Sequence, residues 1–423
     1  NRSHEPIMTS LSTVTSADPA PVASPSTPPA YIRLLPGDPA PYFTQVSAGN
    51  PQYTFDTAAG HYLVLCFYGT GSDPHAQAAL EAVRAREDFF NDKSACFFGV
   101  SIDPSDRSTG RIANHIPGYR HFWDFDLKAS KLYGIAPKAA ESGQGNVPLA
   151  RAWVIIDPSM RVITKVNFRN DRSDIAEVMQ IIDKLPPLDR FNGLELQAPI
   201  LYLPRVFEPE LCQHLIGLYE EHGGSESGFM REINGRTVGI TDHKHKRRKD
   251  YHINDDRLIS TLQERILRRI VPEIEKIHMF KATRMERYIV SCYAAEDGGH
   301  FNAHRDNTTK GTAHRRFAVS INLNDDFDGG EVGFPEYGSR SFKAPAGGAV
   351  VFSCALLHKV SKVTRGRRFA FLPFLYDEAA ARIREENARF LGENGTDYKA
   401  GSHPGVPNPE PTTSAPAQNP DAI

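Results

Sequence analysis

The stretch Gly298-Gly299-His300-Phe301-Asn302-Ala303-His304-Arg305-Asp306-Asn307 decides how the second half of this chain is read. His304 and Asp306 are two residues apart, so on an extended segment their side chains share a face. That presets two donors, an imidazole and a carboxylate. A third stands in Leu356-Leu357-His358-Lys359-Val360, just after an apolar run that reads as a buried strand. Two histidines and one carboxylate cover one face of an octahedron and leave three positions open. This is the donor set of a non-haem Fe(II) that binds a chelating cosubstrate together with O2. Arg368 follows ten residues after His358, in Thr364-Arg365-Gly366-Arg367-Arg368-Phe369-Ala370. Its planar fork suits a carboxylate better than a lysine does. It is the candidate partner for the distal carboxylate of 2-oxoglutarate, whose other end would chelate the metal.

Outward from this stretch, the pattern is helices first and strands afterwards. Pro209 opens a helix with Leu211, Leu215, Ile216 and Tyr219 on one face. Residues 257–277 give a second helical region, which Pro272 kinks or splits. From Thr283 onward, short strands separated by Gly, Asn and Asp include Phe317 to Leu323, Gly330 to Phe334 and Gly348 to Phe352. A last helix is predicted over 377–391, capped by Gly392. The expectation is a β-barrel or jelly roll buttressed by helices.

Residues 200–376 resemble the prolyl 4-hydroxylase-like branch of the 2-oxoglutarate oxygenases. The H-x-D…H signature appears as His304-Arg305-Asp306 and His358, and the later pattern as Val360, Val363, Gly366 and Arg368. The resemblance implies a double-stranded β-helix and an Fe(II)-dependent dioxygenase that consumes 2-oxoglutarate and O2 and releases succinate and CO2. Ascorbate is the adjunct it implies. It also implies a tyrosine at the 2-oxoglutarate, matched best by Tyr293, with Tyr288 as the alternative. The carboxylate at Asp306 disfavours halogenation, because halogenating relatives leave that position to chloride.

The first half alternates strands and helices. Tyr62 to Tyr68, Cys96 to Val100 and Ala152 to Pro158 read as strands buried on both faces, with helices over 75–91 and 173–184. That rhythm predicts an α/β sandwich. The segment from Leu35 to Phe43, the strand at 62–68, Asp124 to Gly134 and Arg151 to Pro158 resemble the peroxiredoxin family and imply a thioredoxin-like fold. The chemistry is missing. The family's Pro, Thr and reactive Cys positions fall on Gly69, Asp73 and Ala76, and no cysteine lies between Cys66 and Cys96. Arg151 matches the family's active-site arginine without a thiolate to serve. The block therefore reads as a degenerate redoxin, a scaffold or a binding module, with a cryptic thiol peroxidase as the competing reading.

With 423 residues, two folded units are expected. The predicted boundaries are a tail at 1–30, a redoxin-like unit at 31–187, an oxygenase unit at 188–392 and a tail at 393–423. The Lys184-Leu185-Pro186-Pro187-Leu188 junction carries the break. A net charge of -2 gives no global pull toward nucleic acid or membranes. The five scattered cysteines form no disulfide framework, so a cytoplasmic location is expected. The first thirty residues hold no apolar signal core, and no apolar run nears the ~18 residues of a membrane span. The expected partners are a small-molecule or peptide substrate, and a second copy of the chain or another protein at the redoxin-like unit. A binding or sensor protein with a vestigial iron site is the alternative to an enzyme. The basic run from His243 to Lys249 reads as a solvated loop or as a mobile lid for an anionic substrate.

Overall fold

A computed structural model describes residues 31–143 and 147–391. The two predicted tails and the Gly392 cap lie outside the described residues. In the N-terminal part, seven strands form one mixed sheet. Tyr62–Gly69 lies inside it, parallel to Ala95–Ser101 and antiparallel to Ala152–Ile156. Its alternate residues feed two cores. Leu63, Leu65 and Phe67 enter one, and Tyr62, Val64, Cys66 and Tyr68 enter the other. Burial on both faces explains why the run is apolar throughout. The helix predicted over 75–91 ends at Arg84. Beyond it the chain turns, and Phe90 is drawn under the rings of Phe97 and Tyr119. The helix Ser173–Asp183 matches its prediction to within a residue.

The C-terminal part opens with the helix Pro209–His222. Asp255 caps the helix Asp256–Arg269 by accepting from the Leu258 amide. A further helix, Val271–His278, carries Pro272 in its first turn, where the missing amide costs nothing. The strands of this part, from Leu201–Leu203 to Phe374–Tyr376, form a two-stranded, a five-stranded and a nine-stranded sheet. Strand Phe317–Asn322 shows how the layers meet. Val319 and Ile321 pack with Leu215, Leu262, Ile266 and Ile274 of the helices. Ala318, on the opposite face, packs with Val332 and Phe334 toward the smaller sheet. Each large apolar side chain removed from water in these layers contributes about 1.5–3 kcal/mol.

The basic run is only in part the exposed loop expected: His243 and Lys244 lie exposed in a turn, and from Lys246 the run enters the sheets. Lys246–Arg247 and Lys249–His252 are strands, paired with His300–His304 and Ile289–Ala294. Lys246, Arg248 and Asp250 point inward and are buried. No helix among the described residues is long and apolar enough to cross a membrane.

Candidate active site

His304 ends the strand His300–His304, and His358 begins the strand His358–Val360. The two strands pair antiparallel with His304 directly opposite His358. The Asp306 amide donates to the Cys354 carbonyl at 3.0 Å, which turns the carboxylate toward both rings. One carboxylate oxygen lies 3.5 Å from His304 Nε2, the other 3.4 Å from His358 Nε2. The three donor atoms fall within 4.8 Å of one another. Each Nδ1 faces a carbonyl two residues upstream: Asn302 at 2.7 Å for His304, and Leu356 at 3.1 Å for His358. With Nδ1 protonated and donating, each Nε2 lone pair is free for a metal.

The protonation states suit a divalent cation. Burial, reinforced by neighbouring His358, lowers His304 to about 4. Burial opposes the Asp306 charge, but His358 and His304 outweigh it and hold the carboxyl well below its usual range. At neutral pH the site offers a neutral His304 and an ionised Asp306, so neither must lose a proton to ligate.

Arg368 faces the same cavity for a reason of parity. On strand Arg367–Phe371, Phe369 and Phe371 pack against the helices, which sends Arg368 the other way. Its Nε donates to Asn322 Oδ1 at 2.9 Å and its Nη2 to Ser320 Oγ at 2.7 Å. Its Nη1 is buried with no partner among the described residues. The residue is 1% exposed, so this donor calls for an acceptor from a bound molecule. Tyr293 sits opposite Arg368 in the neighbouring strand, its ring 5.2 Å from the guanidinium. Tyr288 faces the helical side, where its hydroxyl accepts from Gln263 at 2.7 Å. The triad and Arg368 line one pocket, walled by Phe352, Phe374 and Val332, a combination of metal donors and an unpaired cation that suits a chelating dicarboxylate.

Sequence reasoning missed the cations around this pocket. Arg248 forks onto Asp250 through two 2.7 Å bonds, and its Nη1 lies 3.4 Å from Tyr293 Oη. Lys246 donates to Ser227 Oγ and Gly228 O, and burial, with Arg248 and Arg287 adding, lowers it to about 5. The signal was present as alternation: Lys246, Arg248 and Asp250 are two apart. A wider cleft of about 800 Å³ opens above the triad. Ser227 to Arg231 line one side of it, and Asn50, Gln52, Thr54 and Asp56 of the N-terminal part line the other.

The positions aligned with the peroxiredoxin threonine and thiol hold Asp73 and Ala76. Asp73 caps the helix Pro74–Arg84 through the His75 and Ala76 amides and pairs with Arg151 at 2.8 Å. A carboxylate thus neutralises both the helix terminus and the arginine that a thiolate would need. All five cysteines are buried and free. Burial pushes Cys66 well up and Cys96 to about 12, the reverse of an activated thiol.

Comparison with known proteins agrees with this division. Residues 288–376 match the 2OG-Fe(II) oxygenase superfamily, and residues 36–165 match the AhpC/TSA family. A PKHD-type hydroxylase of Pseudomonas fluorescens is 37% identical over 112 residues, covering 24% of this chain and 47% of that protein. The PKHD-type hydroxylase PiuC of Pseudomonas aeruginosa is 34% identical over a stretch of the same length and coverage. The chain thus spans about half the length of the curated relatives it matches. Among solved structures, a Pseudomonas putida prolyl-4-hydroxylase aligns at 14% identity and TM-score 0.32, covering 42% of this chain and 92% of that one. A Mycobacterium tuberculosis peroxidoxin aligns at 15% identity and TM-score 0.30, covering 36% and 99%.

Proposed function

We propose that this chain is an Fe(II)- and 2-oxoglutarate-dependent dioxygenase that hydroxylates a C–H bond of a peptidyl proline or a small metabolite. Its catalytic unit is a double-stranded β-helix within 188–392, joined to a redoxin-like unit at 31–187. The observation that carries the reading is the pairing of a compact His-Asp-His donor set with a buried arginine whose Nη1 has no partner among the described residues.

Fe(II) held there would supply, with 2-oxoglutarate and O2, the oxidising chemistry of hydroxylation, with loss of succinate and CO2. The protein's own part is arrangement. His304, Asp306 and His358 would hold the metal. Arg368, held rigid by Asn322 and Ser320, would receive the distal carboxylate of 2-oxoglutarate. Tyr293 steadies that guanidinium and offers a hydroxyl beside it. Phe352 and Phe374 line the pocket, keeping its interior apolar and strengthening the charge pairing. Ascorbate is the expected adjunct in turnover.

The test is succinate formation from 2-oxoglutarate with Fe(II) and air. The wild type is expected to release succinate slowly without substrate, and His358→Ala to release none. Arg368→Met is expected to raise the 2-oxoglutarate requirement about 10- to 100-fold, the loss of a charge-assisted hydrogen bond. Succinate formation by His358→Ala at the wild-type rate would contradict the proposal. Retention of full activity by Cys66→Ser and Cys96→Ser separates it from a thiol-based reaction.

A further inference from the structure

His304 ends one strand and His358 begins another, and the residues beside them, Ala303, Arg305 and Leu357, reach the N-terminal unit. The histidines face the cavity. Their neighbours face the N-terminal unit. The Arg305 Nε donates to Asp56 Oδ2 at 2.9 Å, and its Nη2 lies 3.2 Å from the Tyr42 hydroxyl and 2.9 Å from Glu336 Oε1. Arg305 Nη1 closes the set on the Ala355 carbonyl. The Arg305 and Asp56 side chains are 7% and 6% exposed. Leu357, 1% exposed, belongs to the apolar core of the N-terminal sheet with Phe43, Phe55 and Leu65, and Ala303 packs against that core. The Leu357 amide donates to Glu336 Oε1 at 3.2 Å. Glu336 itself follows Pro335, against which Gly60 fits so closely that a Cβ there would lie 2.9 Å from Pro335 Cβ.

We propose that the redoxin-like unit is a built-in part of the metal centre, with Asp56 and Tyr42 as positioning residues that act through Arg305 on His304 and Asp306. This rests on the proposed function. Arg305 stands between two ligands in the chain, so its side chain fixes the backbone that aims both. It is clamped by one carboxylate from each unit. Leu357 does the same for His358 by packing. The unit's lost thiol chemistry and its retained fold are then consistent: what is used is its surface. The coupling is reciprocal, so a metal in the triad strengthens docking of the two units.

The experiment is a titration of the full-length metal-free protein with Co(II), followed by its visible ligand-field absorption. Asp56→Asn keeps the shape and removes the charge. It is expected to weaken Co(II) binding about 10-fold, as changes one layer behind a ligand do, and to alter the absorption envelope. Asp56→Glu restores a carboxylate and is expected to recover most of the affinity. Tyr42 is 47% exposed, so Tyr42→Phe will fold, and it is expected to weaken binding by a smaller factor. Should Asp56→Asn fail to fold, Tyr42→Phe decides. Wild-type affinity and spectrum in Tyr42→Phe and in folded Asp56→Asn, whatever their melting temperatures, would overturn the inference alone. No Co(II) binding by the wild type would overturn the functional reading and this inference with it.

Discussion

At the scale of single residues, the site depends on which side of a strand each side chain occupies. Tyr288 and Tyr293 are an odd number of positions apart, so one strand cannot aim both at the cavity. The alternation Val290, Cys292, Ala294 toward the helices leaves Tyr293 inside. Tyr293→Phe removes one hydroxyl at 3.4 Å from Arg248. It is expected to weaken 2-oxoglutarate binding by a few fold, about 1 kcal/mol, with metal affinity unchanged, as calorimetry on the Fe(II)-loaded protein would show. The candidate donors were legible because His304 and Asp306 form a local spacing and His358 follows an apolar run that reads as a strand. Arg248 and Lys246 were not, because a run of charges reads as solvated until its strand partners are known. Those partners, His300–His304 and Ile289–Ala294, lie more than forty residues away.

At the scale of elements, the strand Lys246–Arg247 carries a measurable pH signature. Lys246 has its pKa lowered from 10.5 to about 5 in the fold. Between those values the unfolded chain binds a proton there and the folded chain does not, so stability rises with pH through that window. Lys246→Met is expected to flatten the rise and to stabilise the metal-free protein at pH 6 by about 1–3 kcal/mol. Urea unfolding at pH 6 and pH 9 checks both. The turn before strand Val332–Gly333 makes a second demand. Gly329 has φ +74°, and a Cβ there would sit 2.1 Å from the Lys362 carbonyl. Gly329→Ala is expected to cost more than about 1 kcal/mol through both strain and clash, read as a lower unfolding midpoint. The long helices and buried strands were legible from periodicity. The end of the helix at Arg84 was not, because the aromatic contacts of Phe90 with Phe97 and Tyr119 are not local in sequence.

At the scale of the whole molecule, the N-terminal and C-terminal parts share one cleft. The length and the Pro186-Pro187 junction led to the expectation of two units, but nothing local announced that Asp56 reaches Arg305, 249 positions on. Leu357→Ala opens a cavity in the core of the N-terminal sheet from the far side of the chain. It is expected to cost about 2–4 kcal/mol, and to weaken metal binding as well because His358 is the next residue. Calorimetric unfolding with and without Co(II) measures both effects.

The central claim is that the triad and Arg368 together form one site for Fe(II) and 2-oxoglutarate. Its most direct test is anaerobic titration of the metal-free protein with Fe(II) and then 2-oxoglutarate, watched by visible absorption. A weak charge-transfer band should appear only when both are present, vanish in His304→Ala, and require far more 2-oxoglutarate in Arg368→Met. Iron binding by the wild type with no band at saturating 2-oxoglutarate would contradict the account.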